Sequence, residues 1–111
     1  MRAYQKKYFV DLETIKSLGT YQNDGITMHW ANNQIYAYNW HCPHEPECDK
    51  LKYGTFSSQN LTVECPGHHF KFSVVSGNNV IEALTKRFGS LETYDYMIEE
   101  GKVYIKIHTS D

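Results

Sequence analysis

Two short stretches, Cys42-Pro43-His44 and Cys65-Pro66-Gly67-His68, set two thiols and two imidazoles on separate segments, with twenty residues between His44 and Cys65. Four such donors are enough for a metal centre. Thiolate sulfur is a soft ligand that suits zinc or iron–sulfur clusters, and imidazole suits zinc, copper or iron, so the donor types alone leave several metals open. The spacing is more informative. A structural zinc site usually draws each pair of ligands from one tight Cys/Cys or His/His turn, because both donors must reach a single tetrahedral ion. Here each segment supplies one cysteine and one histidine, an arrangement that suits two metal ions side by side. His41 and His69 stand beside these positions as rival donors.

Loops that carry ligands need a rigid frame, and the rest of the chain reads as strands. With 111 residues it has the length of one domain. An aromatic fraction of 14%, nine tyrosines among it, and short runs of Val, Ile and Thr favour β-structure. Tyr8 to Leu12 reads as a first strand, and Glu13 to Leu18 as one helical turn ended by Gly19. Asn23-Asp24-Gly25 and Asn32-Asn33 are turn signals, because Asn, Asp and Gly accept the positive φ angles of tight hairpins. They predict strands over Ile26 to Trp30 and Gln34 to Trp40, the second leading straight into Cys42. From His41 to Ser58 the composition turns to Pro, Glu, Asp, Gly and Ser and reads as a long irregular loop. Leu61 to Glu64 and Phe70 to Val74 read as a hairpin enclosing the second ligand segment, with a turn at Ser76-Gly77-Asn78-Asn79. Glu82 to Ser90 is unpatterned connection, and Tyr94 to Glu99 with Lys102 to His108 reads as a closing hairpin.

With these flanks in place the chain resembles the Rieske [2Fe-2S] family, whose pattern is C-x-H followed by C-x2-H with a trailing aromatic and glycine. The likeness covers Cys42-Pro43-His44 and Cys65-Pro66-Gly67-His68-His69-Phe70-Lys71-Phe72-Ser73 running on to Gly77. It extends to Ile35-Tyr36-Ala37-Tyr38 before the ligands, and to Leu91-Glu92-Thr93-Tyr94 and Gly101-Lys102-Val103-Tyr104-Ile105 after them, so nearly the whole chain takes part. The resemblance implies an all-β fold: a single Rieske-like antiparallel β-sandwich or barrel over 1–111, with a small cluster-binding subdomain of two loops at about 41–58 and 64–72. It implies one [2Fe-2S] cluster, with Cys42 and Cys65 on the inner iron and His44 and His68 on the outer one.

Departures from the family pattern carry their own expectations. Position 69, usually glycine in the family, is His69. Phe70 and Phe72 stand where high-potential respiratory members carry Ser and Tyr, whose hydroxyls bond to cluster or cysteine sulfur and stabilise the reduced state; phenylalanine cannot donate, which implies a low potential. Cys48 corresponds to one half of the disulfide of that class, but the matching position in the second loop is Gly67, so Cys48 is expected to be a free thiol. Glu45, Glu47 and Asp49 would flank the edge where an electron leaves and orient a basic partner face. Pro43, Pro46 and Pro66 read as loop stiffeners.

The function implied is a one-electron carrier, a ferredoxin rather than an enzyme, taking electrons from a flavin-dependent NAD(P)H reductase and passing them to the terminal component of a multicomponent oxygenase. Two rival readings use the same four ligands: a Rieske-like small subunit of an oxidoreductase such as nitrite reductase, and a structural zinc module. A formal charge of -2 and a pI near 6.3 argue against nucleic acid as a partner. The N-terminal residues form no unbroken apolar stretch, so neither a leader nor a membrane anchor is expected. Two thiols assigned as ligands fit a reducing, cytoplasmic setting, and a monomer is expected in isolation.

Overall fold

A computed structural model describes residues 3–41, 50–66, 70–81 and 89–109. In chain order its elements are β1 (Ala3–Asp11), α1 (Leu12–Leu18), β2 (Thr20–Asn23), β3 (Ile26–Ala31), β4 (Gln34–Asn39), a 3-10 turn (Lys50–Tyr53), β5 (Thr55–Ser57), β6 (Thr62–Glu64), β7 (Lys71–Ser73), β8 (Thr93–Tyr94), β9 (Tyr96–Glu99) and β10 (Lys102–Thr109). They form three antiparallel sheets with strand orders β1-β10-β9, β2-β3-β4-β8 and β5-β6-β7. This is the mostly-β fold that the sequence led us to expect.

The second sheet is the middle layer, and its period-two alternation sorts side chains to two different cores. Ile26, Met28, Ile35 and Ala37 point one way and join Phe9, Val10, Ile15, Val103 and Ile105 against the first sheet and α1. On the opposite face Tyr38 joins Leu51, Val63, Cys65, Phe72, Val74 and Leu91 of the third-sheet layer. One strand pair therefore anchors both the frame and the ligand-bearing layer.

Tight turns set the registers. Asp24 and Gly25, Asn32 and Asn33, and Glu100 and Gly101 all have positive φ, the backbone of two-residue hairpins whose twist matches the flanking strands. Asn32-Asn33 thereby fixes Trp30 opposite Ile35 and Met28 opposite Ala37.

Four sequence expectations need revision. β1 starts at Ala3 rather than Tyr8, held by its pairing with β10; Gln5 to Tyr8 are all exposed, so no alternation betrayed the strand. α1 is seven residues long rather than one turn. The supposed irregular stretch to Ser58 contains the 3-10 turn and β5, which pairs with β6. Gly54 joins them at a close approach, since a Cβ there would lie 2.8 Å from the Glu64 carbonyl oxygen. Tyr94 belongs to β8, opposite Ala37, so the closing hairpin begins at Tyr96. The connection over 82–88 lies outside the described residues.

Gly77 ties the turn after β7 to the segment leading into β8. Its N–H donates to the Ser73 carbonyl at 2.9 Å, and its own carbonyl accepts from Leu91 N–H at 2.7 Å. At φ +84° a Cβ would sit 2.1 Å from the Leu91 carbonyl oxygen. Left-handed backbone alone costs an L-residue roughly 1–2 kcal/mol, and the collision adds to it. Gly77→Ala should therefore lower the melting temperature by about 10 °C or more; a thermal melt matching wild type would contradict this account of the turn.

Candidate metal centre

Cys65 follows β6 directly, and its side chain is fully buried beside Val63 and Phe72. It forms no disulfide. The register of β6 and β7, Val63 opposite Phe72 and Glu64 opposite Lys71, continues one step further: Cys65 N–H donates to the Phe70 carbonyl at 2.8 Å. That bond brings together the chain on either side of 66–69. At its base the Lys71 ammonium lies 3.9 Å from the Glu64 carboxylate, an exposed pair of small energetic worth.

The other ligand segment is delivered by β4. Asn39 N–H donates to the Glu92 carbonyl and Trp40 N–H to the Gly25 carbonyl, each at 2.9 Å. The Asn39 side-chain oxygen accepts from His41 N–H at 2.8 Å and lies 2.7 Å from His41 Nδ1, while its amide nitrogen donates to the Tyr94 hydroxyl at 3.3 Å. The rival donor His41 thus has one ring nitrogen engaged by Asn39. Lys52 places its ammonium 4.6 Å from the centre of the Trp40 ring, a cation–π contact that covers the departing chain.

Of the four expected ligands, Cys65 is placed at the buried end of the β6–β7 hairpin. Cys42, His44 and His68 lie outside the described residues, as do Pro43, Glu45, Pro46, Glu47, Cys48, Asp49, Gly67 and His69. The chemistry of Cys65 fits an iron–sulfur group: an unpaired thiol, enclosed by apolar side chains, suits the inner, water-excluded side of a cluster. Phe72 is fully buried and Phe70 half-buried in that same layer, so neither ring brings a donor to it.

Next to this layer runs a buried polar chain that strand patterning does not reveal. His29 Nδ1 lies 2.9 Å from Thr20 Oγ1, His29 Nε2 lies 2.8 Å from the Tyr38 hydroxyl, and the imidazole stacks on Phe56 at 3.9 Å between ring centres. The available signal was a lone histidine amid the apolar residues of β3. Burial lowers the His29 pKa to about 4 and raises that of the Tyr38 phenol, because each would become charged away from water. Unfolded chains bind the His29 proton below pH ~6.5, whereas the folded protein resists it down to about 4. Its contribution is fully present above pH ~6.5 and is lost as pH falls towards 4, by roughly 3 kcal/mol. His29→Gln should flatten that part of the urea-stability profile between pH 7 and 4.5; a variant losing as much stability as wild type over that interval would contradict the assignment.

The family model described as Rieske [2Fe-2S] domain matches residues 9–95. Among solved structures the chain is similar to the ferredoxin of carbazole 1,9a-dioxygenase from Nocardioides aromaticivorans IC177, with 20% identity and TM-score 0.69 over 90% of this chain and 95% of that one. It is similar to a chain of the complex of reduced oxygenase and oxidized ferredoxin in carbazole 1,9a-dioxygenase, with 20% identity and TM-score 0.63 over 89% of this chain and 99% of that one. The cyanobacterial plasma membrane Rieske protein PetC3 from Synechocystis PCC 6803 also matches, with 18% identity and TM-score 0.62 over 89% and 97%. At these identities the likeness establishes the fold. No curated protein sequence matches. Among the described residues no helix is long and apolar enough to cross a membrane.

Proposed function

The chain belongs to the Rieske [2Fe-2S] family, with a [2Fe-2S] cluster as its cofactor, and from that premise we propose that it is a ferredoxin, a one-electron carrier for the terminal component of a multicomponent oxygenase. The observation that carries this reading is the nearly end-to-end match, in both directions, to a ferredoxin of carbazole 1,9a-dioxygenase. The electron donor would be a flavin-dependent NAD(P)H reductase, and the setting the cytoplasm. Substrate oxidation belongs to the partner; the carrier is not itself an enzyme.

In this reading Cys42, His44, Cys65 and His68 would hold the cluster, the cysteines on one iron and the histidines on the other. When bound, the cluster supplies one reversible electron. The chain's own part is to hold the site. The Cys65 N–H to Phe70 carbonyl bond fixes the ends of the second loop, Asn39 anchors the first, and the apolar layer around Cys65 keeps water from the sulfur side. The imidazoles of His44 and His68 would then meet the partner, and Glu45, Glu47 and Asp49 would attract a basic surface. That attraction acts on association rate and fades with salt.

The test is reconstitution. Protein reduced by a flavin-dependent reductase and mixed with candidate oxygenases should be required for product formation in at least one pairing, with a rate that falls as salt rises. Permanent co-purification with a larger oxidoreductase would replace this reading with that of a built-in small subunit.

A further inference from the structure

The two proposed cysteine ligands leave different sheets. Cys42 lies three residues beyond β4 of the second sheet, and Cys65 follows β6 of the third. Whatever fixes these sheets against each other also fixes the two points from which the ligand segments depart. Rim contacts between them are the Gln22 amide donating to the Lys52 carbonyl at 2.6 Å and the Asn32 amide donating to the Ser58 carbonyl at 3.3 Å. At the centre stands His29. Its ring lies nearly parallel to Phe56 of β5, at 8°, and its nitrogens face Thr20 of β2 and Tyr38 of β4. Tyr38, four residues before Cys42, extends into the same buried cluster as Cys65.

We propose that the His29–Tyr38 pair positions the iron–sulfur site, pinning the strand that leads to Cys42 against the hairpin that carries Cys65. This rests on the ligation proposed above. The opposite face of the second sheet is filled by Ile26, Met28, Ile35 and Ala37, so burial alone does not call for a histidine in this layer. The two hydrogen bonds run within the second sheet, to β2 and β4, and being directional they fix the two rings. What crosses to the third sheet is the stack of the fixed imidazole on Phe56 and the packing of the fixed Tyr38 ring beside Val63, Cys65 and Phe72. With both ring nitrogens bonded and one ring face on Phe56, the imidazole has one orientation, and the Tyr38 ring is held with it. Removing one partner leaves a buried nitrogen unsatisfied, which costs far more than the bond contributes net. His29 and Tyr38 act here as positioning residues, reaching the cluster through the two sheets.

Three substitutions separate this role from plain packing. Tyr38→Phe removes one oxygen and keeps the ring, His29→Phe keeps the stack on Phe56 and removes both bonds, and His29→Gln retains a donor and an acceptor. The readouts, all on holoprotein near pH 7, are iron release to a chelator, the electron paramagnetic resonance line shape of the reduced cluster, and the thermal melt. Tyr38→Phe and His29→Phe should release iron about tenfold faster or more and broaden the resonance, and His29→Gln should recover part of both losses. Wild-type release and line shape in both phenylalanine variants would overturn the proposal. So would faster release that only follows a lowered melting temperature with the line shape unchanged. Should His29→Phe fail to fold, the single-atom change in Tyr38→Phe decides. No partner protein enters these measurements, so a failure of the carrier reading would leave them intact, and a failure of the ligation would show separately as cluster retained without Cys65.

Discussion

Cys65→Ser should reduce iron and labile sulfide from two of each per chain to well under one, and bleach the visible spectrum. Serine is nearly the same size, so packing is almost unchanged, but the soft thiolate that favours iron–sulfur chemistry is gone. The hydroxyl that replaces it is enclosed among Tyr38, Leu51, Val63 and Phe72, and a buried hydroxyl left without a partner costs roughly 1–3 kcal/mol. Cys48→Ser is the natural control, because Cys48 stands outside the proposed ligand set and should leave cluster content intact. Full iron and sulfide in Cys65→Ser would show that another side chain holds the inner iron.

The second large effect is on reduction potential. Rieske centres span roughly -150 to +300 mV, and hydrogen bonds to sulfur raise the potential by stabilising the reduced, more negative state. The layer beneath this site offers few. Phe72 is fully buried where high-potential relatives carry a tyrosine, Phe70 is half-buried where they carry a serine, and the Cys65 N–H is committed to the Phe70 carbonyl. We expect a potential of roughly -150 mV. Phe72→Tyr should raise it by about 60 mV if the new hydroxyl favours the reduced state by about 1.4 kcal/mol. With His44 and His68 as the proposed ligands, the imidazoles would ionise more readily on the oxidised centre, and the potential should fall with rising pH. A wild-type value well above zero, found by redox titration, would remove the argument from the two phenylalanines.

Much of the frame was legible from local chemistry. Asp24-Gly25 and Asn32-Asn33 need positive φ, so their hairpins follow from residue type, and the β6–β7 hairpin follows from the alternation that buries Val63 and Phe72. β1 was harder to see because Gln5, Lys6, Lys7 and Tyr8 are exposed, and an edge strand there leaves no apolar stripe; Lys7 instead bonds Asp24 across to the next sheet. Tyr94 was assigned to the wrong hairpin because alternation runs unbroken through Asp95, although the chain passes there from the second sheet to the first. The His29 network showed in the sequence only as a lone histidine amid the apolar residues of β3, with nothing to name its partners. Period-two patterning predicts one wet face, and β3 has none to offer, since both faces of its sheet are covered by other layers. A polar residue at an alternate position then marks an interior contact between sheets.

The measurement that bears most directly on the central claim is nitrogen and iron hyperfine spectroscopy of the reduced cluster in protein carrying isotope-labelled histidine. The account predicts two unlike irons, with the added electron on the one coupled to two histidine nitrogens and the other bound by sulfur alone. Two equivalent irons, or no coupling to histidine nitrogen, would contradict it.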